Sequence, residues 1–283
     1  MMKIRQRLWL IPIFMMLTAL SITGYPQKRL PDVHFEPTPD DVVEAMLRMA
    51  EVTKDDLVYD LGCGDGRIVI MATKKFGARG VGVDIDPVRI KESNENARKE
   101  GVADRVKFIG NDLFETDISG ATVVTLYLLE EINLQLRPKL FNELKPGTRI
   151  VSHTFDMGDW EPDNIGQVRD RMFYYWIIPA NIAGTWRWSL TSPMGELESQ
   201  LILNQEFQEI SGKVDIQGRQ LRIREQRLKG DQLSFRVRYN SEGQNVVMQF
   251  NGYVRDDAIK GRLEIKGGPW TGTQKWTAKR IKK

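Results

Sequence analysis

The sequence predicts an α/β fold, a doubly wound parallel sheet, followed by a C-terminal antiparallel β-barrel-like domain. Three observations carry this reading. Short apolar runs alternate with helical periodicities between about residues 40 and 155, a glycine-rich turn joins one run to the helix after it, and from residue 184 the helical period gives way to short alternating segments.

Taken in order, Val42, Val43, Met46, Leu47 and Ala50 recur at helical spacing, with Asp40 or Asp41 as the cap. Residues 57–60 read as a strand, the glycine turn follows, and 67–75 read as a helix. A second strand is expected over 80–84, a helix over 87–100 and a third strand over 106–109. A fourth strand over 121–128, a helix over 133–144 and a fifth strand over 148–155 complete the series. Such alternation implies parallel pairing through right-handed crossovers, with a ligand site at the carboxyl ends of the strands where their order reverses. Beyond it, segments 185–190, 196–204, 207–216, 220–228, 232–239, 245–254, 258–265 and 273–281 make about eight strands. Leu233, Phe235, Val237 and Tyr239 alternate there with Ser234, Arg236 and Arg238, one face apolar and one wet. That number is enough to close a small barrel.

Four segments follow: a leader over 1–24, a proline-punctuated linker over 25–36, the α/β domain over 37–183 and the β domain over 184–283. The leader places Lys3, Arg5 and Arg7 before an uncharged apolar run over 8–22, the layout of an export signal cut near Ser21 or Gly24, or of a retained anchor. An exported, periplasmic or inner-membrane-associated protein is expected, touching membrane only through this segment.

The 283 residues carry 41 basic and 38 acidic side chains, interspersed, for a net charge of +3. That near-balance, with no long basic run, gives no expectation of a nucleic-acid partner. The single cysteine, Cys63, excludes an intrachain disulfide and a thiolate-rich metal site, and with only His34 and His153 beside it no metal is expected.

The turn Asp60-Leu61-Gly62-Cys63-Gly64-Asp65-Gly66 follows an apolar strand and opens a helix, so its backbone amides line an anion-friendly helix terminus. Its glycines alternate, whereas dinucleotide sites set the last glycine one residue further to admit a pyrophosphate. The spacing suits S-adenosylmethionine, which carries an adenosine and an amino acid but no phosphate. Asp84, 18 residues after Gly66, is placed to accept from both ribose hydroxyls. Asp112 is placed for the adenine amino group, the backbone of Leu113 for a ring nitrogen, and Asp60 for the substrate amine, directly or through water. Singly, each of these is as readily turn punctuation or a helix cap; together they mark three successive strand ends. Cys63 reads as a small filler of the loop.

With Pro37-Thr38-Pro39 and the following Asp-Asp-Val-Val-Glu-Ala-Met-Leu, this turn resembles the class I methyltransferases over 36–155, in particular the branch of small protein-lysine methyltransferases related to those acting on mitochondrial membrane proteins. The resemblance implies a Rossmann-like methyltransferase sheet, S-adenosylmethionine as cofactor and methyl transfer to an amine, plausibly a protein lysine. It implies Thr38 as a further cofactor contact, and it meets Cys63 where family members usually carry serine. The Asn-Pro-Pro-Tyr type of motif for amide nitrogens is absent after the fourth strand. Tyr127 there is either the catalytic residue that aligns or shields a lysine amine, or a core aromatic, and Glu130 or Glu131 are placed to attract the ammonium. The C-terminal part resembles lipocalin-type barrels through Trp186 and Arg280, with room implied for an apolar ligand or a substrate segment. The other function in view is an exported, non-catalytic binding protein built on a methyltransferase-like scaffold and a ligand-binding barrel.

Overall fold

The computed structural model describes residues 35–192, 195–241, 243–268 and 271–282. The expected leader over 1–24, and all of the expected linker except 35 and 36, lie outside the described residues. The first half of the chain runs α1 (Asp40–Met49), β1 (Leu57–Leu61), α2 (Arg67–Phe76), β2 (Arg79–Asp84), α3 (Pro87–Lys99), β3 (Val106–Gly110), β4 (Val123–Leu126), α4 (Glu130–Glu143), β5 (Arg149–His153), β6 (Asn164–Val168) and β7 (Arg171–Ile177). The second runs β8 (Gly184–Ser192), β9 (Gly195–Glu206), β10 (Glu209–Ile216), β11 (Arg219–Arg222), β12 (Arg224–Lys229), β13 (Gln232–Ser241), β14 (Gln244–Arg255), β15 (Ala258–Lys266) and β16 (Gly272–Lys282).

The first sheet has the order β3-β2-β1-β4-β5-β7-β6. β1 pairs in parallel with both β2 and β4, so the strand order reverses beside it, while β7 runs antiparallel to β5 and to β6. Sequence periodicity predicts no strand between 155 and 184, yet β6 and β7 lie there. β7 is covered on both sides, with Phe173 and Tyr175 in one core and Tyr174 and Trp176 in the other, so it carries no two-residue alternation to read.

Helices α1 and α2 bury Val43, Met46, Leu47, Val69 and Ala72 against one face, and α3 packs beside α2 through Ile70 and Ala97. Asp40 and Asp41 lie inside the first turn of α1 and neither side chain caps it; Pro39 holds the N-cap position. Two carboxylates in a first turn still suit the positive end of the helix dipole.

The other face is covered by α4 through Leu136 and Leu140, and by Trp160 and Trp176. The tip of the β9–β10 hairpin completes that cover. Phe207 sets its ring 5.7 Å from Phe141 and 6.0 Å from Trp160, and Trp160 Nε1 donates to Gln208 Oε1 at 2.8 Å.

The second sheet is antiparallel throughout, in the order β11-β10-β9-β8-β16-β15-β14-β13-β12. Its two edge strands, β11 and β12, are separated in sequence by Ile223 alone, so the sheet has to curl until its edges meet. Periodicity predicts one strand over 220–228; the chain instead crosses from one edge to the other at Ile223, which is buried in the core. No hydrogen-bonded ladder closes the seam among the described residues, so the closed barrel expected from the strand count is not formed. Its interior is filled by Trp188, Phe235, Phe250 and Trp276 packed ring against ring. Arg280 lies over the Trp186 ring, 4.2 Å from its centroid, the contact that the barrel resemblance implies. The open seam and packed interior nonetheless set this domain apart from a pocket-bearing barrel.

The β domain seats against the amino ends of the parallel strands. Ala180 N donates to Gly230 O at 2.8 Å, and a Cβ on Gly230 would fall 2.9 Å from Gly147 Cα, just before β5 begins. That leaves the carboxyl ends of β1, β2 and β4 open.

Candidate active site

At those carboxyl ends lies a cleft of about 850 Å³. Thr38, Asp60, Gly62, Asp84, Asp112, Leu113 and Tyr127 all line it. The acids expected at three successive strand ends thus converge on one space. Gly64 and Gly66 belong to the same turn but do not form its wall. At Gly64 (φ +52°) a Cβ would come within 2.2 Å of Phe35 Cε2, so this glycine admits the Phe35 ring. At Gly66 (φ +80°) a Cβ would meet Phe108 and Ser93 at 2.7 and 2.8 Å, so that glycine serves the packing of α2.

The Asp84 carboxylate is aimed by backbone. Gly64 N donates to Oδ2 at 2.9 Å and Asp86 N to Oδ1 at 2.9 Å, which leaves each oxygen with acceptor capacity toward the cleft. Asp112 Oδ1 accepts from Phe114 N at 2.8 Å, a local turn that holds the loop after β3.

Asp60 is buried at the end of β1, and Thr125 Oγ1 on β4 donates to its Oδ1 at 2.7 Å. Burial pushes its carboxyl up to about 7, against the Thr125 hydrogen bond and with the Asp65 and Asp84 carboxylates adding to the rise. The Cys63 thiol is likewise pushed up, first by burial and then by Asp60 and Asp84, as suits a filler.

A second group of side chains stands on the other wall, and sequence reasoning missed most of it. Arg67 grips both oxygens of Asp65 through Nε and Nη2, at 3.0 and 2.6 Å, and its Nη1 donates to Thr38 O at 3.1 Å. This clamp ties the Pro37-Thr38-Pro39 segment to the glycine turn. Thr38 Oγ1 lies 3.1 Å from His153 Nδ1, and the His153 ring packs on Tyr127 with centroids 4.1 Å apart. His153 is fully buried and its Nε2 has no partner among the described residues. Burial, then the Arg171 cation, lowers its pKa to about 4, so the imidazole is neutral. Burial, then the Glu36 carboxylate, raises the Tyr127 phenol, which stays protonated at neutral pH.

Glu36 also lines the cleft and lies 3.8 Å from Arg171. Glu130 and Glu131 open α4 three residues earlier than its periodicity suggests; both are exposed and do not line the cleft, although their neighbours Leu129 and Ile132 do. The only sequence signal for His153 was a histidine near a strand end, and Glu36 carried none.

The ANTKMT methyltransferase domain family matches residues 60–164. A protein-lysine N-methyltransferase of Saccharolobus islandicus is 51% identical over 142 residues, 50% of this chain and 88% of that protein. A human lysine N-methyltransferase of ATP synthase is 34% identical over 142 residues, 50% of this chain and 60% of that protein. Among solved structures, an RNA methyltransferase from Salinibacter ruber in complex with S-adenosyl-L-homocysteine is 55% identical with a TM-score of 0.51, covering 52% of this chain and 96% of that one.

These relatives overturn two expectations. An exported, periplasmic or inner-membrane-associated protein does not agree with an archaeal protein-lysine methyltransferase and a human counterpart as kin. No helix among the described residues is long and apolar enough to cross a membrane. A non-catalytic binding scaffold is likewise not favoured.

Proposed function

Since the chain belongs to the class I, S-adenosylmethionine-dependent protein-lysine methyltransferases, we propose that it methylates a lysine amine of a protein in the cleft at the carboxyl ends of β1, β2 and β4. The convergence of Asp60, Asp84 and Asp112 on one space, with Tyr127 and Glu36 on the facing wall, carries the reading.

The residues fit the cofactor. A buried carboxyl at the end of β1 suits an ammonium, an amide-aimed carboxylate at the end of β2 suits a pair of hydroxyls, and an open loop after β3 suits an adenine edge. When bound, S-adenosylmethionine supplies an electrophilic methyl carbon on its sulfonium. In this assignment Asp60 holds the cofactor's amine, Asp84 the ribose hydroxyls, and Asp112 with the backbone of Leu113 the adenine. Gly62 and Thr38 line the same cleft.

The acceptor nitrogen must arrive neutral and in line, and placement supplies most of the acceleration in such a displacement. Glu36 attracts the incoming ammonium, which gives its proton to solvent at the cleft mouth. The Tyr127 phenol oxygen then accepts from an N–H of the neutral amine, which leaves the nitrogen lone pair free. Neutral His153 keeps the Tyr127 ring and Thr38 in register without placing a second cation beside the ammonium.

The test is transfer of labelled methyl from S-adenosylmethionine into a cell extract, followed by acid hydrolysis. Label recovered as methylated lysine, and lost with Asp84→Ala, is the expected result. Label on another residue or on nucleic acid would contradict it.

A further inference from the structure

The outer face of the β domain is as ordered in its charge as the cleft is. Residues 184–283 contain 18 basic and 11 acidic side chains, whereas 35–183 contain 18 and 26, so the two parts carry net charges of +7 and −8. Register shows where the excess sits. Ile259, Leu263, Trp276, Ala278, Trp186 and Trp188 point inward, so Lys260, Arg262, Lys275, Lys279 and Arg187 point outward, and all five are exposed.

They are neighbours. Arg262 pairs with Lys275 across β15 and β16, Lys279 pairs with Arg187 across β16 and β8, and Lys260 stands beside Tyr253 across β15 and β14. Adjacent strands lie roughly 4.8 Å apart and like-facing residues roughly 6.6 Å apart along a strand, so the cations form a continuous array. Among the described residues no carboxylate pairs with any of the five, although cations elsewhere on the domain, such as Arg236, Arg238 and Arg255, are paired. Between these cations stand Asn251, Thr277, Ser189 and Tyr253, the last 54% exposed, and Glu264, which flanks Arg262 on the same face, is paired with Lys266 at 3.1 Å.

We propose that this outer face of β14, β15, β16 and β8 binds single-stranded nucleic acid, its five cations on the phosphates and the Tyr253 ring under a base. The make-up of the face selects this partner over other anionic ones. Protein interfaces are depleted in lysine and centre on clustered apolar anchors, whereas here three of five cations are lysines and the exposed aliphatic side chain, Ile281, stands alone near the end of β16. Docking to a membrane would want a cluster of apolar residues to insert, and among the described residues the β domain exposes only Tyr253 and Ile281 as large hydrophobics. A chain of phosphates needs only an array of cations, polar donors and an exposed ring on which any base can stack. The site lies on the other domain from the methyl-transfer cleft and stands whether or not the acceptor is lysine.

The experiment is fluorescence anisotropy of a labelled single-stranded 20-nucleotide RNA, titrated with the full chain at several salt concentrations. Five phosphate contacts predict a log–log salt slope of roughly −3.5. The triple variant Lys260→Gln, Lys275→Gln, Lys279→Gln should flatten that slope by about 2 and weaken binding at least tenfold at low salt. Tyr253→Ala should weaken binding about fivefold or more and leave the slope unchanged, since it removes stacking and no charge. All four positions are exposed, and retained S-adenosylmethionine affinity reports that the variants are folded. A wild-type slope near zero would overturn the proposal, as would an unaltered triple variant. Preference for poly-glutamate or for phosphatidylserine vesicles over the RNA would overturn it too.

Discussion

In the α/β half, charge at the strand ends is held. Asp84 is fixed by two backbone amides, Asp60 by Thr125 and Asp65 by Arg67. On the outer face of the β half, Arg187, Lys260, Lys275 and Lys279 are held by no carboxylate among the described residues and stand in rows set only by strand register. The first arrangement costs desolvation and returns a concave site with fixed directions, suited to one small ligand. The second costs little and yields a convex surface suited to a long partner. The aromatic side chains divide the same way. Tyr127 stands at the cleft wall, whereas Trp188, Phe235, Phe250 and Trp276 pack into the β interior.

If the halves are separate in function but share a packed junction, the largest effect should come from emptying the β core. Trp276→Ala should cost about 3–5 kcal/mol in urea unfolding, while S-adenosylmethionine affinity of the folded fraction stays within about twofold. Loss of that affinity would erase the division. Asp84→Ala should do the reverse. Removing an acceptor of charge-assisted hydrogen bonds should weaken cofactor binding roughly 100-fold, with urea unfolding little changed.

Phe207→Ala sharpens the comparison at the junction. The ring bridges Phe141 and Trp160 from the β side, so its loss should cost about 2 kcal/mol and split one unfolding transition into two by circular dichroism. A single transition with an unchanged midpoint would show that the hairpin tip adds nothing to the contact.

The smallest effects concern pH, and they have opposite signs at the two walls of the cleft. Asp60 titrates near 7 in the folded chain, above its ordinary value, so its protonated form stabilises the fold. That contribution is complete below about 4 and is lost as pH rises to about 7. His153 titrates near 4, below its ordinary value, so its contribution is complete above about 6.5 and is lost as pH falls toward 4. In ligand-free protein, Asp60→Asn should remove a decline of stability with rising pH, and His153→Gln a decline with falling pH. Thermal unfolding across pH 4–8 checks both, and a variant with an unaltered profile would remove that residue from the account. Binding of the cofactor's ammonium beside Asp60 should also release a proton below pH 7, which calorimetry in buffers of different ionisation enthalpy would detect.

What could be read in advance follows the range of the interactions. The alternation of strands and helices, and the turn from Asp60 to Gly66, are local and were legible. The β6–β7 hairpin was not, because Arg171–Ile177 is buried on both faces and shows no period. The acids at 60, 84 and 112 were legible because strand ends in a doubly wound sheet must share one edge. His153 and Glu36 were not, since only tertiary packing brings β5 and the segment before α1 to Tyr127. Net charge was silent for a related reason: +3 over the whole chain conceals a face of five cations, visible only once the strand register is known.

The central claim is that three strand ends build one adenosyl pocket. A crystal structure with S-adenosylhomocysteine tests it most directly. The ribose is expected on Asp84, the adenine edge at Asp112 and Leu113, and the amino group at Asp60. A ligand lodged elsewhere, or one touching neither Asp84 nor Asp112, would contradict it.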